Sequence, residues 1–288
     1  MSNPIPDEQG IIEKPGLKPQ LHISALNMLN FCGEQFRRRY ILKEKRPPGV
    51  AMIVGTAADR SVTRNLQSKL DTNQLLPLAQ VKQIAADTLN AEWQNSVALD
   101  ADELVQGIER VKGEAIDKAV RLSSLHATEL APKLQPTHVQ RQWTLDIVGY
   151  DMSLAGTIDV QEGSDSVRDT KTKGKSPSED IVHHDHQLTA YAMAAKVIDG
   201  KVPEQVTLDC MVDNKTPILK VYKSTRNEKD FQAFLARVEN AIVALQKGVF
   251  VPAKQTDFLC SPKYCGFFSS CKFVMQPKSV SVPSNFNV

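Results

Sequence analysis

Long apolar runs are missing from this chain. None of its 288 residues lies in a stretch approaching the ~20 apolar residues of a membrane-spanning helix, so no membrane partner is expected. An excess of one charge sign is missing too: 35 lysines and arginines stand against 33 aspartates and glutamates. Net charge therefore gives no argument for nucleic acid, and any such binding must come from local patches. The first residues, with Pro4, Pro6, Asp7 and Glu8, lack the basic-then-apolar pattern of a signal peptide, and a cytoplasmic protein is expected. Cysteine is scarce, at five. Disulfides are rare in the cytosol, so these five need a metal, catalytic or packing reading. No internal repeat is visible. What the chain does have is 41% hydrophobic residues, enough for a core and too many for a disordered chain. Its length allows one large domain or two small ones.

Residues 1–20, with four prolines and no period, read as a tail, and 276–288 as a second one. Ser24 is a plausible N-cap for a helix to about Leu42, with Leu26, Leu29, Gly33, Phe36 and Tyr40 on one stripe. Arg37, Arg38 and Arg39 follow that stripe as a solvated face or as phosphate contacts. A second helix is predicted from about Gly55. The chain from there to Leu134 reads as mostly helical, with Leu104, Ile108, Val111, Ala115, Ala119 and Leu122 as one buried stripe. No catalytic cluster falls in it. Strands follow, then a helix over about 179–199, a strand around Cys210 and a last helix opened by a capping box at Thr225 and Glu228. His183, His184 and His186 suggest zinc by adjacency but are read as a solvated or DNA-facing helix start.

The chemistry concentrates between Gly156 and Thr172. Two strand-like runs flank Glu162-Gly163-Ser164-Asp165, which reads as a β-hairpin. A regular hairpin centred on Ser164 puts Asp159 opposite Asp169, with Cβ atoms roughly 4.5–5.5 Å apart. Lys171 shares their face, because side chains alternate along a strand. Two carboxylates and an ammonium on one patch can hold a hard divalent cation and steady a nucleophilic water. Gln187 and Tyr191, four apart on the next helix, share a face. The late cysteines Cys260, Cys265 and Cys271 need a fourth ligand, and no histidine follows His186; Cys32 or Cys210 must supply it, and Cys210 reads as a core residue. Thiolates suit an iron–sulfur cluster or zinc. The spacings favour [4Fe–4S], with Zn²⁺ the alternative.

Gly-x-Ile-Asp159, Asp169-x-Lys171-Thr172 and Gln187-Leu-x-x-Tyr191 together resemble the RecB-like branch of the PD-(D/E)xK nucleases. So do Ser24 to Cys32, Gly55 to Asp59, and the three late cysteines, and the likeness covers roughly residues 21–275. The nearest in look are phage exonucleases, nuclease domains of bacterial recombination enzymes, and CRISPR-associated iron–sulfur nucleases. The resemblance implies an α/β fold, a restriction-endonuclease-like mixed β-sheet flanked by helices, here with a helical insertion over 61–135. It implies Mg²⁺ or Mn²⁺ on Asp159, Asp169 and the Thr170 carbonyl. Lys171 would position water and offset charge, and Gln187 and Tyr191 would orient a phosphate or Lys171. Asp59 stands where relatives carry a histidine ligand and is expected to join the metal set. The cluster would use Cys32, Cys260, Cys265 and Cys271. DNA would meet Arg37, Arg38, Arg39, Lys173 and Lys175.

The expected activity is a metal-dependent DNA exonuclease in phage or bacterial recombination, repair or processing. A helicase, recombinase or single-strand annealing protein is the implied protein partner, and host cytoplasm the location if phage-encoded. The alternative is a non-catalytic nuclease-fold DNA-binding or assembly protein. An electron-transfer iron–sulfur protein has no redox-partner motif in its favour.

Overall fold

The computed structural model describes residues 11–12 and 18–275. The 276–288 tail lies outside them, as does most of the N-terminal one. Ile11–Ile12 (β1) pairs antiparallel with Gln20–His22 (β2), so that part of the expected tail is in the sheet.

The sheet runs β1, β2, Ser153–Glu162 (β4), Ser166–Lys173 (β5), Gln205–Val212 (β6), Ile218–Ser224 (β7), and His138–Asp146 (β3) pairs with the other edge of β4. The β2–β4 and β5–β6 pairs are parallel and the rest antiparallel, so the sheet is mixed as expected. Helices cover both faces. Ile23–Phe31 (α1), His186–Asp199 (α7) and Glu228–Gln246 (α8) pack on one, around Leu154, Ile158, Val167, Leu208 and Cys210. Leu188 through Ala195 of α7 are all buried, as expected of a helix apolar on every side.

Val50–Thr72 (α3), Leu78–Asn95 (α4) and Ile108–Leu125 (α6) cover the other face, over Val160 and Met211. The block read as an insertion over 61–135 is therefore a layer of the domain. Its first helix runs unbroken across the expected boundary, from Val50 rather than Gly55. The short Ala101–Gln106 helix (α5) joins α4 to α6, and there Leu104 and Ile108 are exposed, although the apolar stripe predicted them buried.

The helix predicted from Ser24 to Leu42 starts at Ile23 and breaks at Cys32, which is extended (φ −148°, ψ 97°). Gly33–Phe36 (α2) and a π-helical turn over Arg37–Ile41 follow. The break has a tertiary cause. The chain at Phe250–Val251 passes against Gly33, whose N–H donates to the Val251 carbonyl at 2.7 Å. A Cβ at Gly33 would stand 2.6 Å from the Val251 nitrogen, so only glycine fits. This crossing carries the late cysteines toward Cys32.

The last helix is capped by Asn227 and Asp230, not by Thr225 and Glu228. The Asn227 side chain accepts from the backbone of Lys229 and Asp230, and Asp230 returns a bond to the Asn227 N–H.

Candidate active site

Two strands share one edge of β4. β2 pairs with Ser153 to Ala155, and β5 pairs only with Val160 to Glu162. Between them the edge is open, and the site forms there. The β4–β5 register, Val160 opposite Arg168, would place Asp159 opposite Asp169 as predicted, but the ladder stops one pair short. In its place the Thr170 N–H donates to Asp159 Oδ2 at 3.0 Å.

The other edge is distorted at the same level. The β3–β4 ladder passes from Val139–Val160 to Arg141–Ile158 and skips Gln140, the residue facing Asp159. Gln140 sits at φ +52°, a left-handed conformation costly for a residue with a Cβ, and its amide bonds Thr63 Oγ1 of α3 at 3.2 Å. A regular strand would put Ile158 and Val160 on one face; here Ile158 packs in the α1–α7–α8 core and Val160 in the α3–α4–α6 core. The strand twists between them, and Asp159 lies at the twist.

Four of the predicted residues close into a ring. Lys171 Nζ donates to Asp169 Oδ1 at 2.8 Å and to Gln187 Oε1 at 3.3 Å. Gln187 Nε2 donates to the Tyr191 hydroxyl at 2.6 Å, and that hydroxyl donates to Asp169 Oδ1 at 3.5 Å. The Asp185 side chain caps α7 by accepting the Leu188 N–H at 2.8 Å, which fixes the turn carrying Gln187. Tyr191 is buried and Gln187 half-buried, and both are hydrogen-bonded within the ring. The Lys171 side chain keeps 36% of its surface, while that of Asp169 keeps none.

The charges explain what the ring can accept. Burial pushes the Asp169 carboxyl up to about 8 against the pull of Lys171, and Asp159 adds to the rise. Asp159 is raised by burial, opposed by Lys171 and the Thr170 N–H, and raised further by Asp59. Asp59 is raised by burial, with Lys171 opposing and Asp169 adding. Although Asp59 retains exposed surface, its carboxyl thus belongs to the same electrostatic group. It lies in the third turn of α3, too deep for the helix N-terminus to hold it. Lys171 loses some charge preference to burial, but Asp169 and Asp159 outweigh that and hold its pKa above the ordinary lysine value.

Among the described residues, buried Asp169 Oδ2 has no hydrogen-bond partner. An unpaired carboxylate oxygen beside two more raised acids fits a hard divalent cation, which takes oxygen ligands. Among the described residues no three His, Cys, Asp or Glu side chains are gathered into a ready-made single-ion site. Asp59, Asp159, Asp169 and the Thr170 carbonyl are the donors at hand.

A pH dependence follows. A carboxyl raised in the folded chain keeps a proton that the unfolded chain has released, so its stabilising contribution is lost as pH rises through the folded value. The histidines lowered by burial, His126 (to about 3) and His186, act oppositely and have given their full contribution above pH about 6.5. From pH 6.5 to 8 the acids alone act. The metal-free protein should lose on the order of 1 kcal/mol across that window, and Mg²⁺ should cancel the loss. Denaturant unfolding at several pH values, with Mg²⁺ or with chelator, reads this out. A flat metal-free profile would mean that Lys171 keeps Asp169 ionised throughout.

Cys210 is buried in the core, and Cys32, Cys260, Cys265 and Cys271 line one cavity. Cys32 stands at the helix break, its Sγ accepting the Gln35 N–H at 3.5 Å.

The three arginines do not form one phosphate-binding face. Arg37 is paired with Glu34 at 2.8 Å. Arg38 is buried and bonded inside the protein, which removes it from the DNA-contact set, and only Arg39 is exposed. Lys173 is half-buried at the end of β5 and Lys175 exposed beyond it. Of the histidines, His183 Nδ1 bonds Ser224 Oγ at 2.8 Å and His186 packs on the Phe234 ring.

Sequence reasoning missed Gln140 and Arg226. Arg226 is buried and bonds Thr189 Oγ1 and the carbonyls of Val182 and Asp185, which pins the start of α7 to the end of β7. Neither residue carries a local signal, since both act through contacts distant in sequence.

A model of the PD-(D/E)XK nuclease superfamily matches residues 20–272. Among solved structures, a candidate exonuclease from Eubacterium rectale is similar at TM-score 0.54 and 12% identity, with 90% of each chain covered. At that identity the likeness shows the fold alone. The structure of SSO0001 covers 88% of this chain and 96% of its own at 16% identity, but its TM-score of 0.34 is too low to argue from. No curated protein matches the chain.

Proposed function

The chain belongs to the PD-(D/E)XK nuclease superfamily, and from that premise we propose that it is a Mg²⁺- or Mn²⁺-dependent deoxyribonuclease that degrades DNA from ends. The observation that carries the reading is the ring of Asp169, Lys171, Gln187 and Tyr191, with one Asp169 oxygen left unpaired at the open edge of β4. Nucleases of this superfamily generally use Mg²⁺ or Mn²⁺. Asp159, Asp169 and the Thr170 carbonyl would hold the ion, with Asp59 as a third acid. When bound, the ion acidifies water and offsets phosphate charge.

The remaining work falls to the chain. Lys171 has a raised pKa, so at neutral pH it is an ammonium and serves as a fixed cation, not as a base. Its half-exposed end can reach a phosphate oxygen while Asp169 and Gln187 hold its position, and it stabilises the charge that builds up as the phosphodiester is attacked. Gln187 and Tyr191 keep its aim. Arg39, Lys173 and Lys175 offer positive charge for the DNA backbone.

The four cysteines lining one cavity fit a [4Fe–4S] cluster with a structural role. A [4Fe–4S] cluster takes one thiolate on each of four irons, and the four cysteines that line the cavity supply that number. Recombination or repair, with a helicase, recombinase or annealing protein as partner, is the setting this activity fits.

The test is incubation of anaerobically purified protein with linear and closed-circular DNA, with Mg²⁺, Mn²⁺ or chelator. Metal-dependent loss of linear DNA alone supports the reading. Binding of DNA without cleavage under every condition would favour a non-catalytic nuclease-fold protein.

A further inference from the structure

The residue that completes the four-cysteine site lies outside the cysteine pattern. Arg38 is 8% exposed, in the π-helical turn after Cys32, and lines the same cavity as the four thiols. It reaches across more than 200 residues of sequence. Its Nη1 donates to the Phe267 carbonyl at 3.3 Å and its Nη2 to Ser270 Oγ at 3.0 Å, both in the loop from Cys265 to Cys271. The guanidinium also stacks on the Phe267 ring at 4.6 Å, and Arg46 lies 5.4 Å from that ring. Glu44 grips Arg38 from the outer side through contacts of 2.6 to 3.1 Å. Burial raises the Cys265 thiol, and the charge of Arg38 opposes that rise. A buried arginine spending its donors on the carbonyl and hydroxyl of a loop this poor in regular structure is a fastening.

We propose that Arg38 is the positioning residue of the four-cysteine site. It latches the Cys265–Cys271 loop and places a buried cation in the lining of the cavity that the thiols share. The inference rests on the iron–sulfur reading above. It assigns the middle residue of the Arg37–Arg39 run to the cluster end of the molecule. The outer partners of metal ligands commonly change metal affinity about 10–100-fold when removed, and Arg38 holds two backbone segments and a charge at once.

The experiment compares wild type, Arg38→Gln, Glu44→Gln and the double variant, all purified anaerobically. Iron content, the rate of iron loss to a chelator and the reduction potential of the centre are measured, with melting temperature as a check on the fold. Arg38→Gln should lose iron at least ~10-fold faster. Its potential should become more negative, because a cation is removed and Glu44 is left unpaired. The double variant restores the charge balance without the latch, so its potential should return toward wild type while iron loss stays fast. If Arg38→Gln fails to fold, Ser270→Ala removes one latch contact without emptying the core and should speed iron loss about two- to threefold. Iron-loaded wild type with equally stable iron and an unchanged potential in the variants overturns this inference alone. Iron-free wild type overturns the cluster reading itself, and the role of Arg38 with it.

Discussion

Asp169→Asn should abolish metal-dependent DNA cleavage and leave the protein folded. Asparagine keeps the shape and one acceptor, so the ring with Lys171 and Tyr191 can persist. The negative charge is lost, along with the oxygen that has no protein partner. Because burial already disfavours that charge, the metal-free variant should be no less stable than wild type. Mg²⁺ should no longer raise its melting temperature, since an ion stabilises only the state it binds. Lys171→Met should cost about 10²–10³-fold in rate, as expected for removing one preorganised group at a developing charge, while leaving the Mg²⁺-induced stabilisation in place. Gel-based cleavage of end-labelled DNA and thermal melts with and without Mg²⁺ separate the two. Asp213, whose side chain is paired with Lys118 and Arg121 and takes no part in the ring, is the control. An Asp169→Asn protein that cleaves at more than a tenth of the wild-type rate would remove the site from this ring.

Cys32→Ser should cost the protein its cluster and much of its stability, whereas Cys210→Ser should keep the cluster. Cys32 joins helices near the start of the domain to a loop more than 220 residues later, and closing so long a loop removes much unfolded-state entropy. Besides the cluster, the Arg38 contacts and the Gln255–Met275 bonds hold that loop, which has little regular structure of its own. Between Pro252 and Met275 the described chain has only turns and one short 3-10 segment, and Phe258, Tyr264 and Met275 are exposed. Wild-type protein should be brown, with broad absorbance near ~400 nm. Ser at Cys32, Cys260, Cys265 or Cys271 should bleach it and open residues 253–275 to proteolysis. Cys210 is fully buried between β5 and β7, and a hydroxyl there should destabilise the core without bleaching the protein. Stoichiometric zinc without iron in the wild type would replace the cluster by a zinc site.

What the sequence determined by itself was everything decided within about thirty residues. Alternation and the Gly163 turn give the β4–β5 hairpin, and that places Asp159, Asp169 and Lys171 together. The four-residue spacing of Gln187 and Tyr191 puts both on the face of α7 that meets Lys171. Alternation of Val206, Leu208, Cys210 and Val212 marks Cys210 as a buried strand residue. Local periodicity suffices there because each placement depends on dihedral angles that neighbouring residues set.

The tertiary structure decided the rest. A regular hairpin would have paired Asp159 with Asp169 in a ladder. The strands separate instead, because β2 takes the far end of the same β4 edge and Gln140 twists the strand from the other side. The predicted helix through Cys32 breaks because a chain segment more than 200 residues later crosses at Gly33. Three consecutive arginines look alike in sequence, yet one is paired locally, one is buried against the Cys265–Cys271 loop and one is exposed beside the Tyr40 ring. At a helical step of about 100° per residue they face three ways, and what each meets belongs to other parts of the chain.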